Sequence, residues 1–305
     1  MHFDLPESHH EIQRMVREFC ARHVAPHARR WDEEGVGSPE VLAMLAEQGL
    51  LAVRIPEAYG GTALDLLACA VVVEEVARVD GSLALKLATH NVFGVGHLLA
   101  AGDDALRSAW LPRAATGEAL VTWAHGDVRA REDGDGWVLD GAVRPVAMGL
   151  DAALFIVTAR DEAGATSSFA VPRDTRGLET APASSMGMRS AAMGRVLLSG
   201  CRVASSQRLP AGDDAAVEAT LDRAHVVMGA LALGLGEGAL AAAVAYAKDR
   251  KQFGQSIASF QAIQWMLADT RTELDAARLL VWYAAQQCEA GGGAVDAAAA
   301  RVYAS

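Results

Sequence analysis

The chain has 305 residues, of which 51% are hydrophobic and 21% charged, enough for a sizeable core and too apolar for general disorder. Its formal net charge of −11 argues against a nucleic-acid partner and against an anionic membrane surface. Cys20, Cys69, Cys201 and Cys288 stand far apart, with no CxxC pair and no zinc-ligand spacing. They read as reduced thiols in a cytoplasmic protein without a metal site.

Taken in order, the chain changes character twice. Residues 1–118 read as an N-terminal α-helical domain. Met1 to His10 lacks the charged and apolar regions of a secretory signal. Ile12, Met15, Val16 and Phe19 fall on one helical face, and Ser38-Pro39 is an N-cap followed by proline at the first helical position. Leu66 to Val79 reads as a core helix carrying Glu74 and Glu75.

Residues 119–210 read as a β-domain. Short β-rich runs at Trp137–Leu139, Leu154–Thr158, Ser168–Val171 and Arg195–Leu198 are separated by turn signals, the pattern of a small barrel or sandwich. Residues 211–305 read as a C-terminal helical bundle. Ile263, Leu267, Thr270, Leu274, Ala277 and Val281 step along one helical face. The apolar run from Val226 to Ala247 is broken by glycines and Glu237, so it reads as a buried helix and not a membrane span. A last alanine-rich helix is still in progress at Ser305, so the bundle is expected to be incomplete here and the natural chain to continue.

Particular segments give this order a family. Arg250-Lys251-Gln252-Phe253-Gly254, with Ile257 and Phe260-Gln261, resembles the RxxFGxxIxxFQ segment of the acyl-CoA dehydrogenase family. Ile55-Pro56-Glu57-Ala58-Tyr59-Gly60-Gly61, Leu111-Pro112-Arg113 and Met186-Gly187-Met188-Arg189-Ser190 extend the resemblance over the whole chain. It implies an α+β, mainly helical fold: an N-terminal helical domain, a middle β-barrel domain and a C-terminal helical bundle. It also implies FAD, an acyl thioester substrate on CoA or an acyl carrier protein, α,β-desaturation, and a homodimer or homotetramer.

By the same resemblance, Arg250, Phe253 and Gln261 belong to the ADP end of the FAD site, with Arg250 reaching a neighbouring subunit's pyrophosphate. A simple alternative for Arg250 is a salt bridge to a carboxylate such as Asp249. Thr122 belongs to the flavin-ring end, but the segment around it departs from the family. Trp123 stands in place of a glutamate, and the loop is shortened. Pro145 replaces an aromatic, and Ala147 replaces the hydroxyl that meets flavin N5.

One family position for the catalytic glutamate lies beyond Ser305. The other corresponds to Ala224, in Leu221-Asp222-Arg223-Ala224-His225. No carboxylate stands there. Asp222 and His225 are the substrate-side candidates, and His225 is the weak candidate for a base. Three functions follow: an FAD-dependent acyl thioester dehydrogenase, a non-catalytic subunit paired with an intact homologue, or a flavin-independent scaffold for an acyl or natural-product ligand.

Overall fold

The computed structural model describes residues 4–305. Seven helices come first: α1 (Glu7–Phe19), α2 (Ala28–Glu34), α3 (Pro39–Glu47), α4 (Leu66–Ala77), α5 (Gly81–Ala88), α6 (Val95–Ala101) and α7 (Asp104–Ala115). Their starts are written in side chains. Ser38, Asp65, Asp80 and Asp103 each accept a hydrogen bond from a first-turn backbone N–H, as helix N-caps do. Helix α4 is buried along its whole length, Glu74 and Glu75 included.

The central strands are β1 (Val121–Asp133), β2 (Gly136–Val146), β3 (Leu154–Arg160), β4 (Thr166–Pro172), β5 (Leu178–Pro182), β6 (Gly194–Ala204) and β7 (Arg208–Leu209). They form one seven-stranded sheet in the order β5-β6-β2-β1-β3-β4-β7, parallel only between β1 and β3. The two edges, β5 and β7, do not pair, so no hydrogen-bonded barrel closes. The sheet nevertheless curls. Trp137 on β2 and Phe169 on β4 have two strands between them, a separation of roughly 14 Å in a flat sheet. Their rings stand 5.5 Å apart. Twist and burial together roll the strands around their own apolar core.

Helix α8 (Asp214–Asp249) runs 36 residues. A short hairpin, β8 (Lys251–Gln252) and β9 (Gln255–Ser256), leads to α9 (Gln261–Glu289) and α10 (Ala294–Ala304). By length and composition α8 could cross a membrane, yet half of its most apolar window is buried against the rest of the chain. Its glycines explain the fit. A Cβ at Gly234 would lie 2.2 Å from the Glu74 carbonyl oxygen, and one at Gly238 would lie 2.4 Å from that of Arg78. Only glycine lets α8 approach α4 so closely.

At this crossing a charged cluster ties three helices together. Arg278 on α9 donates from Nε to Glu74 on α4 at 3.0 Å and also bonds Glu237 on α8. Arg271 donates to both Glu237 oxygens at 3.1 and 2.6 Å. The apolar stripe expected on α9 is buried only in its second half, at Ala277 and Val281. Ile263, Leu267 and Leu274 are half-buried and Thr270 is exposed, because the first half of α9 lies beyond the core.

Candidate functional site

Two groups of predicted residues form, and they are far apart. The first sits after the end of α8. Arg250 is the C-cap of that helix and is exposed. Its guanidinium enters no salt bridge among the described residues, so the simple pairing with Asp249 does not form. Its backbone carbonyl accepts from the Ile257 N–H at 2.9 Å, which fixes the base of the hairpin. The turn is Phe253-Gly254, both at positive φ (52° and 80°). That is the left-handed geometry a two-residue hairpin requires, and phenylalanine adopts it at a cost of roughly 1–2 kcal/mol. Phe253 is 91% exposed, with only the edge of Phe260 beside it at 6.2 Å. Gln261, the first residue of α9, is also exposed. A permanent cation, an aromatic face and an amide thus share one surface with no partner of their own.

The second group lies where α8 begins. Asp222 and His225 are half-buried, one helical turn apart, with Ala224 buried between them. His225 Nδ1 is buried and has no hydrogen-bond partner among the described residues. Burial lowers the His225 pKa, Arg301 lowers it further, and Asp222 opposes them. The imidazole is therefore held neutral near pH 7, a form that can accept a proton. Leu221, on the same turn, packs against the apolar cluster that contains Val121 and Trp123 at the start of β1.

Thr122 lies in that strand, fully buried, and its hydroxyl donates to the Ala147 carbonyl at 2.7 Å. Trp123 donates from Nε1 to Thr158 Oγ1 at 2.8 Å. Its ring stacks between His97, at 5.5 Å, and His125, at 4.8 Å. His97 is itself bonded to Thr220 and Ser168, and burial pushes its pKa down to about 4. Sequence reasoning missed this stack. The stack and its hydrogen-bond partners come from α6, β1, β3, β4 and α8, and no spacing along the chain announces such a meeting.

The separation matters. Asp222 and Arg250 lie at opposite parts of one helix, 28 residues apart, or about 42 Å at 1.5 Å per residue. Thr122 lies on β1 bonded to Ala147, Asp222 and His225 lie on α8 toward Cys288 and Arg301, and Arg250, Phe253 and Gln261 share the hairpin.

Residues 6–118 match the family described as acyl-CoA dehydrogenase, N-terminal domain, and residues 212–305 match acyl-CoA dehydrogenase, C-terminal domain. The chain belongs to the acyl-CoA dehydrogenase family. A probable acyl-CoA dehydrogenase of Mycobacterium tuberculosis is 36% identical over 307 residues, covering 95% of this chain and 79% of the relative. The solved glutaryl-coenzyme A dehydrogenase in complex with glutaryl-CoA superposes at a TM-score of 0.94, with 28% identity, over 100% of this chain and 83% of that one. Butyryl-CoA dehydrogenase of Megasphaera elsdenii superposes at 0.93, with 27% identity, over 100% of this chain and 85% of that one.

Members of the acyl-CoA dehydrogenase family generally bind FAD, and the hairpin and the start of β1 suit that group unequally. The hairpin suits a diphosphate: an unpaired guanidinium is a ready partner for it, and the exposed Phe253 ring offers a stacking face. The ring end does not suit an isoalloxazine in the family's manner. The Thr122 hydroxyl and the Trp123 N–H are already committed. Pro145 has no backbone N–H, and Ala147 has no side-chain donor.

Proposed function

We propose that the chain binds an acyl thioester, on CoA or an acyl carrier protein, beside the start of α8, and holds the ADP end of an FAD at the Arg250 hairpin. The observation that carries this reading is the unpaired, exposed Arg250 on a hairpin whose geometry turns Phe253 outward. When bound, FAD supplies the two-electron oxidation by which the family desaturates an acyl chain. Asp222 and His225 orient the thioester end, and His225 is the one group there that is neutral, half-buried and unpartnered at Nδ1.

The 42 Å along α8 supports a specific arrangement. Arg250, Phe253 and Gln261 serve the nucleotide of a neighbouring subunit, and the chain works as a dimer or tetramer. The neighbour is a second copy or, on a second reading, an intact homologue. The committed hydroxyl of Thr122 and the buried Trp123 favour that second reading, because a chain with a closed ring end can still hold another subunit's diphosphate. A third reading, a flavin-independent scaffold for an acyl or natural-product ligand, draws on the same closed ring end.

The absorbance spectrum of the purified protein, read beside its mass in solution, separates these. A flavin band near one FAD per chain in a homo-oligomer supports the dehydrogenase. A colourless protein that gains flavin only with a homologue supports the partner subunit. A colourless protein that binds neither ADP nor FAD overturns the cofactor reading and leaves the scaffold.

A further inference from the structure

Between the helical domain and the sheet lies a cavity of about 880 Å³ lined by neither Arg250, Phe253, Gln261, Thr122, Asp222 nor His225. Its size falls within the roughly 300–1,000 Å³ of small-molecule sites, and domain interfaces are where such sites recur. Leu42, Leu51, Leu120 and Leu150 form apolar walls. Its floor is polar and built. Lys86 reaches it from α5 with a side chain only 5% exposed, and its ammonium donates to Asp151 at 2.6 Å. An ammonium has three donors, and this is its one hydrogen bond among the described residues. Gly37 leaves the space in front of it: a Cβ there would sit 3.2 Å from Lys86 Nζ. Ser190, 3% exposed, also lines the floor, and its hydroxyl enters no hydrogen bond among the described residues.

We infer that this cavity is a binding site for a neutral, amphipathic carbonyl compound: a ketone, ester or amide with an aliphatic body. Lys86 has two N–H groups to give, so the ligand must bring an acceptor. Asp151 neutralises Lys86 and Arg113 neutralises Glu118 at 2.7 Å, so the cavity has no unpaired charge to repay an anion's desolvation. A cation meets Lys86. A carbonyl satisfies the ammonium without adding charge, Ser190 Oγ offers it a second donor, and the leucine walls take the aliphatic part. A buried charge left with unused donors is costly, which is the drive to fill this floor.

Three probes of equal length test the inference by ligand-observed NMR titration: methyl heptyl ketone, nonanoate and nonylammonium. The ketone is expected to bind about tenfold more tightly than either ion, the factor a single hydrogen bond to a charged donor supports. The double variant Lys86→Met/Asp151→Leu exchanges the ion pair for apolar residues and keeps the fold in balance. It is expected to lower ketone affinity about tenfold, the loss of the hydrogen bond from Lys86. Leu42→Trp fills the cavity, leaves the ion pair in place, and is expected to abolish ketone binding. Excess ADP and acyl-CoA leave the ketone titration unchanged, because neither Arg250 nor Asp222 lines this cavity. Equal binding of the three probes, no binding at all, unchanged ketone affinity in the double variant, or displacement by ADP or acyl-CoA overturns the inference.

Discussion

The Arg250 hairpin and the start of β1, which we propose answer to two ends of one cofactor, are built in opposite ways. On the hairpin the side chains are uncommitted: Arg250 has no carboxylate partner among the described residues and Phe253 stands 91% exposed. At the start of β1 Thr122 is committed to Ala147 and Trp123 to Thr158, and His97 beside them to Thr220 and Ser168. A site ready for a ligand keeps unsatisfied groups at hand and loses stability by doing so. A closed core does the reverse. The contrast sets a surface with groups free for a ligand against a core that has spent its groups on its own stability.

If the contrast is right, substitutions in committed regions cost stability and substitutions on the hairpin cost binding. The largest expected effect is at the α4–α8–α9 crossing. Arg278→Met leaves Glu74, which is 1% exposed, and Glu237 without their shared partner. Breaking a buried pair from one side costs about 3–5 kcal/mol. Urea unfolding of the variant measures it, and a loss under about 1 kcal/mol would show the cluster to be solvated and the contrast weaker than drawn.

The next effect is set by pH. Burial pushes His90 and His97 each down to about 4 from an ordinary 6.5. His90 is held neutral between a backbone donor, the Val121 N–H, and a backbone acceptor, the Ala114 carbonyl. The unfolded chain takes up protons as pH falls through 6.5, and the folded chain does not until about 4. Their stabilisation is therefore complete above 6.5 and is lost progressively toward 4. The depression corresponds to about 3 kcal/mol for each histidine. His97→Gln should flatten the fall in urea-unfolding stability between those limits. An unchanged slope would place His97 in water rather than in the Trp123 stack.

Arg250→Ala carries a smaller effect of a different kind. Stability should stay within about 0.5 kcal/mol, as for surface substitutions generally. Affinity for ADP, read by calorimetry on the oligomer, should fall about tenfold, the loss of one charge-assisted contact. Loss of stability with unchanged ADP affinity would make Arg250 a structural residue and dissolve the contrast.

The sequence made the two helical blocks, the strands and the family plain, because caps, turn signals and apolar periodicity are local. Ser38 and Asp80 cap the helices they announce. Gly234 and Gly238 interrupt the apolar run that reads as a buried helix, and both lie against the end of α4. The resemblance at Arg250, Phe253 and Gln261 was legible because they fall in one continuous segment. The ring end was legible only as substitutions at Trp123, Pro145 and Ala147. What those substitutions do depends on meetings across long stretches of chain, such as Trp123 with His97 and Thr158. Lys86 and Asp151 stand 65 residues apart, and no pattern links them before the chain folds.

The smallest prediction tests the contrast most sharply, because its two halves point in opposite directions. Phe253 sits at φ 52°, where a side chain with a Cβ is strained and glycine is not. Almost none of its ring is buried to repay that strain. Phe253→Gly should therefore raise stability by up to about 1 kcal/mol, net of the extra freedom glycine gives the unfolded chain. The same change removes the aromatic face beside Arg250 and should weaken ADP binding several-fold, the worth of one stacked ring. A strained residue that destabilises the free protein and strengthens a complex is held for the complex. If Phe253→Gly gains stability and binds ADP as before, the strain serves no nucleotide, and the hairpin is a remnant like the ring end.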